Sequence, residues 1–347
     1  MNSVNRIGIL FALVVCLGYG QQTGRRVSFE PVAGRPQIAV GSGASVQAQR
    51  LARSGEELYG LLYKRLAVRR FLLRTGQVVE VGLDAFPEAQ AASFNILSDI
   101  DVGGDGSIYV PIVWSEAGRI FHSGVAVWNP QGRYERTIRL DPPVEVRHIA
   151  LGDNGDLFVL GMDPDHYKGL RPENFLVHKY TPSGRRLASF SQTSLRAPIA
   201  AKGGVHRDLT TEADRGKLWM QDGTLWQMQP VTRGLRAFSL DGRLLREVRF
   251  APPTETGSGT AWIWNVFKVS GDQFLVDWVL EENSPGALRR SRGVVAHDAI
   301  GRPISRLTGP LDGIDMPIAC DSAGTCVVIR GGPGAPRVMA SARLAVE

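Results

Sequence analysis

Two kinds of turn return along this chain in a fixed order, and their alternation constrains the fold more than any other feature. The first is a polar turn ending in glycine and followed by alternating apolar residues. It occurs as Asp105-Gly106 before Ser107-Ile108-Tyr109-Val110, and as Asn154-Gly155 before Asp156-Leu157-Phe158-Val159. The second comes about 25 residues later and ends in Gly-Arg: Asn129-Pro130-Gln131-Gly132-Arg133, then Thr181-Pro182-Ser183-Gly184-Arg185. Asp-Gly and Asn-Gly suit tight hairpin turns because both central positions need positive φ. Two hairpins alternating at a period of roughly 50 residues make four-stranded units that must stack to bury their faces. The architecture implied is all-β, a β-propeller.

With the hairpins named A–B and C–D of a blade, the A–B turns fall at Gly106, Gly155, Asp222-Gly223, Gly271-Asp272 and Ala323-Gly324. The C–D turns fall at Thr75-Gly76, Gly132, Gly184, Asp241-Gly242 and Ile300-Gly301. Complete blades are drawn over 97–141, 145–190, 215–250 and 261–308. Two strand-like pieces, 27–32 and 337–346, then remain. If they pair as closing strands, and 37–83 supplies another blade, the ring has six four-stranded antiparallel blades; five is the alternative. The stretch Ser45 to Leu66 could instead hold a helix, with Val46, Leu51, Leu58, Leu61 and Leu62 on one face.

An inner strand, a D-G turn, an "I-Y-V" strand and a strand ending in a P-x-G-type turn resemble six-bladed β-propellers of the NHL-repeat-like (TolB-like) kind. The resemblance covers roughly residues 64 to 347. It implies the architecture and little about activity.

The domain reading is a signal peptide over 1–20, an N-terminal segment over 21–63 with a closing strand and a possible helix, and a propeller over 64–347. Ile7 to Leu17 is apolar and uncharged, too short to span a bilayer, and small residues precede Gln21. An exported protein, periplasmic or extracellular, is expected. Lipid anchoring at Cys16 is not, because Val15 stands where the attachment pattern wants a small residue. Beyond Cys16 only Cys320 and Cys326 remain. They flank an A–B turn position, so a disulfide is the main expectation in an oxidising compartment. The net charge of +6 comes mostly from scattered arginines. Without a basic stripe on a known module, nucleic acid is not an expected partner. No second long apolar run occurs, so no transmembrane segment is expected, and the chain is read as a monomer.

Tight A–B and C–D turns share one face of such a ring, while several B–C and D–A connections on the other are long, where binding residues concentrate. The candidate ligand-binding residues are therefore Trp114, which opens one long loop, and Asp163, Asp165, His166, Tyr167 and Arg171 in another. Trp262 and Trp264 on a predicted inner strand, and Trp219 and Trp226 around Asp222-Gly223, could stack on sugars, with packing the main expectation. Propellers of the gluconolactonase-like group hold one divalent cation with carboxylates and an Asn where inner strands enter the channel. The matching positions are Asp99, His148, Asn265 and Asp315, without that group's surrounding sequence. No serine-nucleophile elbow occurs.

The reading is a non-enzymatic propeller binding a protein, peptide or glycan through its long-loop face, with no cofactor. The alternative is a metal-dependent hydrolase, lactonase or lyase using a divalent cation at Asp99, Asn265 and Asp315 in the channel mouth.

Overall fold

The computed structural model describes residues 25–39, 48–62, 66–91, 93–96, 99–116, 121–164, 174–193, 209–253, 260–269, 272–284, 287–309, 316–330 and 337–346. Two short strands come first, β1 (Val27–Pro31) and β2 (Ile38–Ala39). One sheet follows from β3 (Ala48–Leu51), β4 (Glu57–Leu62), β5 (Ala67–Leu72) and β6 (Gln77–Gly82). The next holds β7 (Ser93–Ile96), β8 (Asp101–Val102), β9 (Ile108–Ser115), β10 (Phe121–Trp128) and β11 (Tyr134–Arg139). The third is β12 (Glu145–Leu151), β13 (Leu157–Met162), β14 (Asn174–Tyr180) and β15 (Arg186–Thr193).

A short helix, α1 (Leu209–Arg215), leads into β16 (Lys217–Gln221), β17 (Thr224–Gln229), β18 (Gly234–Phe238) and β19 (Leu244–Arg249). The fifth sheet is β20 (Thr260–Lys268), β21 (Phe274–Ser284) and β22 (Ala287–His297). Single bridges at Val294–Thr308 and His297–Pro303 occupy its fourth-strand place. The last sheet runs β23 (Met316–Cys320), β24 (Thr325–Arg330), β25 (Val338–Val346) and then β1, with β2 also on β25. The fold is thus nearly all β, in antiparallel sheets that fit propeller blades.

Positive φ falls on the turn glycines, but among the described residues both central positions have it only at Asp222-Gly223; at Asp105-Gly106 and Asn154-Gly155 the turn is wider and only the glycine does. Gly76, Gly106, Gly132, Gly155, Gly184, Gly223, Gly242, Gly301 and Gly324 all have positive φ, as do Asp222 and Asp272. Within the stretch read as a possible helix, residues 48–51 and 57–62 are strands instead: β3 and β4 pair from Ala48↔Leu61 to Leu51↔Leu58, in one sheet with β5 and β6, while Val46 lies outside the described residues. That sheet straddles residue 64, where the sequence reading placed the propeller's start. Between β3 and β4 lies a further A–B turn. Gly55 has φ +69, its N–H donates to Ala52 O, and the Ala52 N–H donates to Glu57 O. The apolar residues that suggested a helix face mostly belong to β4, whose Leu58, Leu61 and Leu62 are buried. The terminal strands pair as expected, Val27↔Val346 through Pro31↔Ala342.

Neighbouring sheets are joined by a repeated latch. The second residue after an outer strand donates its N–H to the carbonyl of the next sheet's C–D turn glycine: Asp84 to Gly132, Asp141 to Gly184, Ala251 to Gly301. Beside each latch, the last residue of the third strand bonds the carbonyl of the preceding sheet's exit. Trp128 Nε1 donates to Asp84 O at 2.9 Å, the Tyr180 hydroxyl donates to Pro142 O at 2.9 Å, and His297 Nε2 lies 3.2 Å from Ala251 O. All three rings are buried, so each polar atom needs the partner the repeat supplies.

The latch requires glycine twice over, for positive φ and because a Cβ on Gly184 would collide with Arg139 O. Gly184→Ala is expected to cost about 3 kcal/mol or more in chemical denaturation. Gly223→Ala, at φ +70 with open space around it, should cost only about 1 kcal/mol. Equal costs would show that the latch contributes nothing beyond the turn.

Candidate functional site

Each A–B hairpin closes where one residue of the first strand donates its N–H back across the turn. The pairs are Ala52 to Glu57, Gly103 to Ser107, Gly152 to Asp156, Val269 to Gln273 and Asp321 to Thr325. Gln221, opposite Thr224, holds this place in the two-residue turn at Asp222-Gly223. Four registered positions earlier, the equivalent residues of the six sheets are Ala48, Asp99, His148, Lys217, Asn265 and, beyond the extra residue Ile318 in β23, Met316. Four of these six carry polar side chains of different chemistry.

One cavity of about 790 Å³ is lined by residues of, or next to, the first strand of every sheet. Asp99, His148, Lys217, Asn265 and Pro317 all face it. In β12 and β20 the residue before the equivalent position is an extra one, bulged out of register: Arg147 before His148, and Trp264 before Asn265. A bulge re-aims a side chain that the two-residue alternation of a strand would otherwise hold in the sheet. Trp264 is 46% exposed, unlike every other tryptophan of the chain, and its ring contacts Trp262 at 5.6 Å and the Arg292 guanidinium at 5.3 Å. Arg215, at the end of α1, lies over the Trp262 ring at 4.6 Å.

Arg50 ties the strands around the cavity. Its Nε, Nη2 and Nη1 donate to the carbonyls of Ile100, Ile149 and Leu218 at 3.0, 2.9 and 3.0 Å. Those residues are themselves equivalent, each one position beyond Asp99, His148 and Lys217. The guanidinium also lies 3.4 Å from Asp101 Oδ1 and 3.7 Å from Asp99 Oδ2. Both carboxylates reach the next sheet, Asp99 accepting the Ile149 N–H and Asp101 the Leu151 N–H, each at 2.8 Å.

Their ionisation follows from these partners. Burial pushes Asp99 up, but His148 at 3.6 Å, Arg50 and the Ile149 N–H outweigh it and hold the carboxyl below its ordinary value. At Asp101 burial prevails over Arg50 and two backbone N–H groups, so that carboxyl is raised. Lys217 is exposed at the cavity wall, and the protein crowded around its ammonium, with Arg50 and Arg292 adding to the effect against Asp99 and Asp277, lowers it to about 8. Asp277 is fully buried and raised by burial, against the Arg292 Nε bond of 2.9 Å.

The sequence candidates scatter. Asp99 and Asn265 share the cavity wall, while Asp315 lies outside the described residues. Among the described residues no three His, Cys, Asp or Glu side chains are grouped to hold a metal ion. Trp114 is 3% exposed, stacked on His122 at 5.3 Å with Arg139 over its ring, so packing engages it and it does not line the cavity. Asp163 pairs with Arg186 at 2.9 Å, and Asp165, His166, Tyr167 and Arg171 lie outside the described residues. Cys320 and Cys326 face each other across the β23–β24 hairpin and are joined by a disulfide.

Sequence reasoning passed over Lys217, Arg50 and the exposed state of Trp264. Counting back from the turns would have found Lys217 beside Asp99, His148 and Asn265. Nothing local marks Arg50 or the bulge. The cavity also reaches the tight-turn face, where Arg53 pairs with Asp153 and Lys268 with Asp222. It is therefore not confined to the long-loop side.

No protein-family model matches the chain, and no curated protein matches it. Among solved structures it is similar to a member of the DUF4221 family from Bacteroides vulgatus, at 9% identity and a TM-score of 0.56, covering 94% of this chain and 99% of that one. It is also similar to a Bacteroides fragilis protein whose name suggests export, at 9% identity and a TM-score of 0.55, covering 93% and 96%. These likenesses concern the fold. Among the described residues no helix is long and apolar enough to cross a membrane.

Two outcomes test the electrostatics. Arg50→Met leaves Asp99 and Asp101 without their guanidinium and should cost about 3–5 kcal/mol in denaturation. Arg50→Lys should recover less than half of that, since an ammonium cannot span three carbonyls; full recovery would refute the tie. Glu212 of α1, fully buried, is pushed up to about 7 by burial, against bonds from the Val231 N–H and Thr232. A raised carboxyl keeps its proton in the folded state while the unfolded chain loses it. Stability should therefore fall as pH rises from about 4.5 to about 7, by at most about 3 kcal/mol. Glu212→Gln should flatten that slope in pH-dependent denaturation.

Proposed function

We propose that this chain is an exported six-bladed β-propeller that binds a small polar ligand, or the end of a larger one, in its central cavity, without catalysis. Six antiparallel sheets, with one cavity lined by the first strand of each, support the blade number. The pairing of β1 with β25 supports closure of the ring by its two terminal strands. Export is supported by the apolar start of the sequence and by the likeness to a protein whose name suggests it.

The observation that carries the binding reading is Trp264. An indole left 46% exposed on a cavity wall, by a bulge that takes it out of strand register, has no packing role for that half. It offers an apolar face next to polar groups of both kinds, as small-ligand sites do. The cavity volume also falls within the usual range of about 300–1,000 Å³.

A cation-dependent enzyme is less well supported by the same wall. An ion at the level of Asp99 and Asn265 would stand beside the Lys217 ammonium and the Arg50 guanidinium, which already act on the Asp99 carboxylate. Like charges at that range oppose a bound metal.

The test is a glycan and peptide array probed with the mature protein and with Trp264→Ala, followed by calorimetry on any hit. Trp264→Ala should weaken binding tenfold or more with unchanged thermal stability. Hits that are indifferent to Trp264, or no hits in either array, would overturn the reading.

A further inference from the structure

The charges lining the cavity divide into those with partners and those without. Arg50 pairs with Asp99 and Asp101, Arg53 with Asp153, Lys268 with Asp222, and Arg292 with Asp277. The remaining carboxylates of the lining are also engaged. Asp214 pairs with Arg147, and Asp321 accepts the N–H groups of Ala323 and Thr325. Among the described residues this leaves two cations of the cavity outside any ion pair, Lys217 and Arg215.

Those two cations stand on the tryptophan side of the cavity. Arg215 lies over Trp262. Lys217, two residues on, lies within electrostatic range of Arg292, the guanidinium that covers Trp264. Arg292 itself is neutralised by Asp277. The site therefore combines an exposed indole, a second indole beside it and two exposed cations that, among the described residues, make no ion pair, Lys217 lying within electrostatic range of Asp99. His148 and Asn265 edge the same space, and Asp214, 46% exposed, adds an acceptor.

A complementary ligand carries one negative group, an apolar face for stacking, and several hydroxyls that both donate and accept. We infer that the cavity recognises an acidic saccharide, its carboxylate held between Lys217 and Arg215 and one pyranose face stacked on Trp264. The C–H face of a pyranose is apolar and slightly positive, which suits an indole ring, and its hydroxyls suit the mixed donors and acceptors of His148, Asn265 and Asp214. This inference rests on the cavity-binding reading above and adds the chemical class of the ligand.

The experiment titrates the mature protein with four uronic-acid oligosaccharides (galacturonate, mannuronate, guluronate and glucuronate based) and with their methyl esters. Tryptophan fluorescence and calorimetry are the readouts. At least one acid should quench fluorescence and bind tenfold or more tightly than its ester. Lys217→Met should bring the acid down to the level of the ester while leaving the ester unchanged, and Trp264→Ala should weaken both. Arg215→Gln serves as a second charge variant, and each variant's thermal unfolding confirms that it folds.

If acid and ester bind alike through Trp264, or a peptide does while no saccharide binds, cavity binding stands and the acidic-saccharide assignment falls. If none of the eight ligands binds, the assignment also falls. Binding that is unchanged by Lys217→Met and Arg215→Gln overturns the role given to the two cations.

Discussion

The guanidinium of Arg50 is the point on which the inner part of this structure converges. A side chain from β3 crosses to three other sheets and donates to the same backbone carbonyl in each, at Ile100, Ile149 and Leu218. Inner strands of separate sheets cannot all bond one another, because each already spends one edge on its own hairpin partner. Their free carbonyls need donors, and water or a side chain must supply them. A planar group with several N–H donors meets that need in one residue, which an ammonium cannot do. Asp99 and Asp101 complete the arrangement by neutralising Arg50 while accepting backbone N–H groups from β12.

Farther out, the sheets are held by backbone and aromatic groups instead of charge. The latch from Asp84, Asp141 and Ala251 to successive turn glycines recurs because the repeat recurs, and the bonds made by Trp128, Tyr180 and His297 travel with it. Different residue types meet one geometric demand, a buried ring with a polar atom at its edge. This explains why the repeat is plain in its turns and faint in its strands. Only the turn glycines have no substitute, while the aromatic place accepts Trp, Tyr or His.

The site departs from this regularity. At the equivalent position of the six first strands stand Ala48, Asp99, His148, Lys217, Asn265 and Met316, so the sheets repeat one another in backbone and differ in chemistry. Bulges before His148 and Asn265 push Arg147 and Trp264 out of alternation. Arg147 finds Asp214 and Glu145, whereas Trp264 keeps half its surface in the cavity. Trp114, which opens a long loop in sequence, is instead buried on His122 beside Gly124.

Local rules were enough to make the turns legible. Asp-Gly, Asn-Gly and Gly-Arg turns need positive φ wherever they occur, so ten hairpin positions and the pairing of the two termini could be read from the chain alone. The turn at Gly55 escaped because Leu58, Leu61 and Leu62 satisfy a helical spacing as well as a buried strand, and short apolar runs do not separate the two. Which polar residues face one another was decided only by the tertiary structure. Arg50 lies 50 residues from Ile100 and 168 from Leu218. The gathering of first strands from separate sheets around one cavity is what brings them together, and no spacing along the chain encodes it. The exposure of Trp264 is likewise a tertiary result, since it depends on one unpaired residue in β20 and on the open cavity that this residue faces.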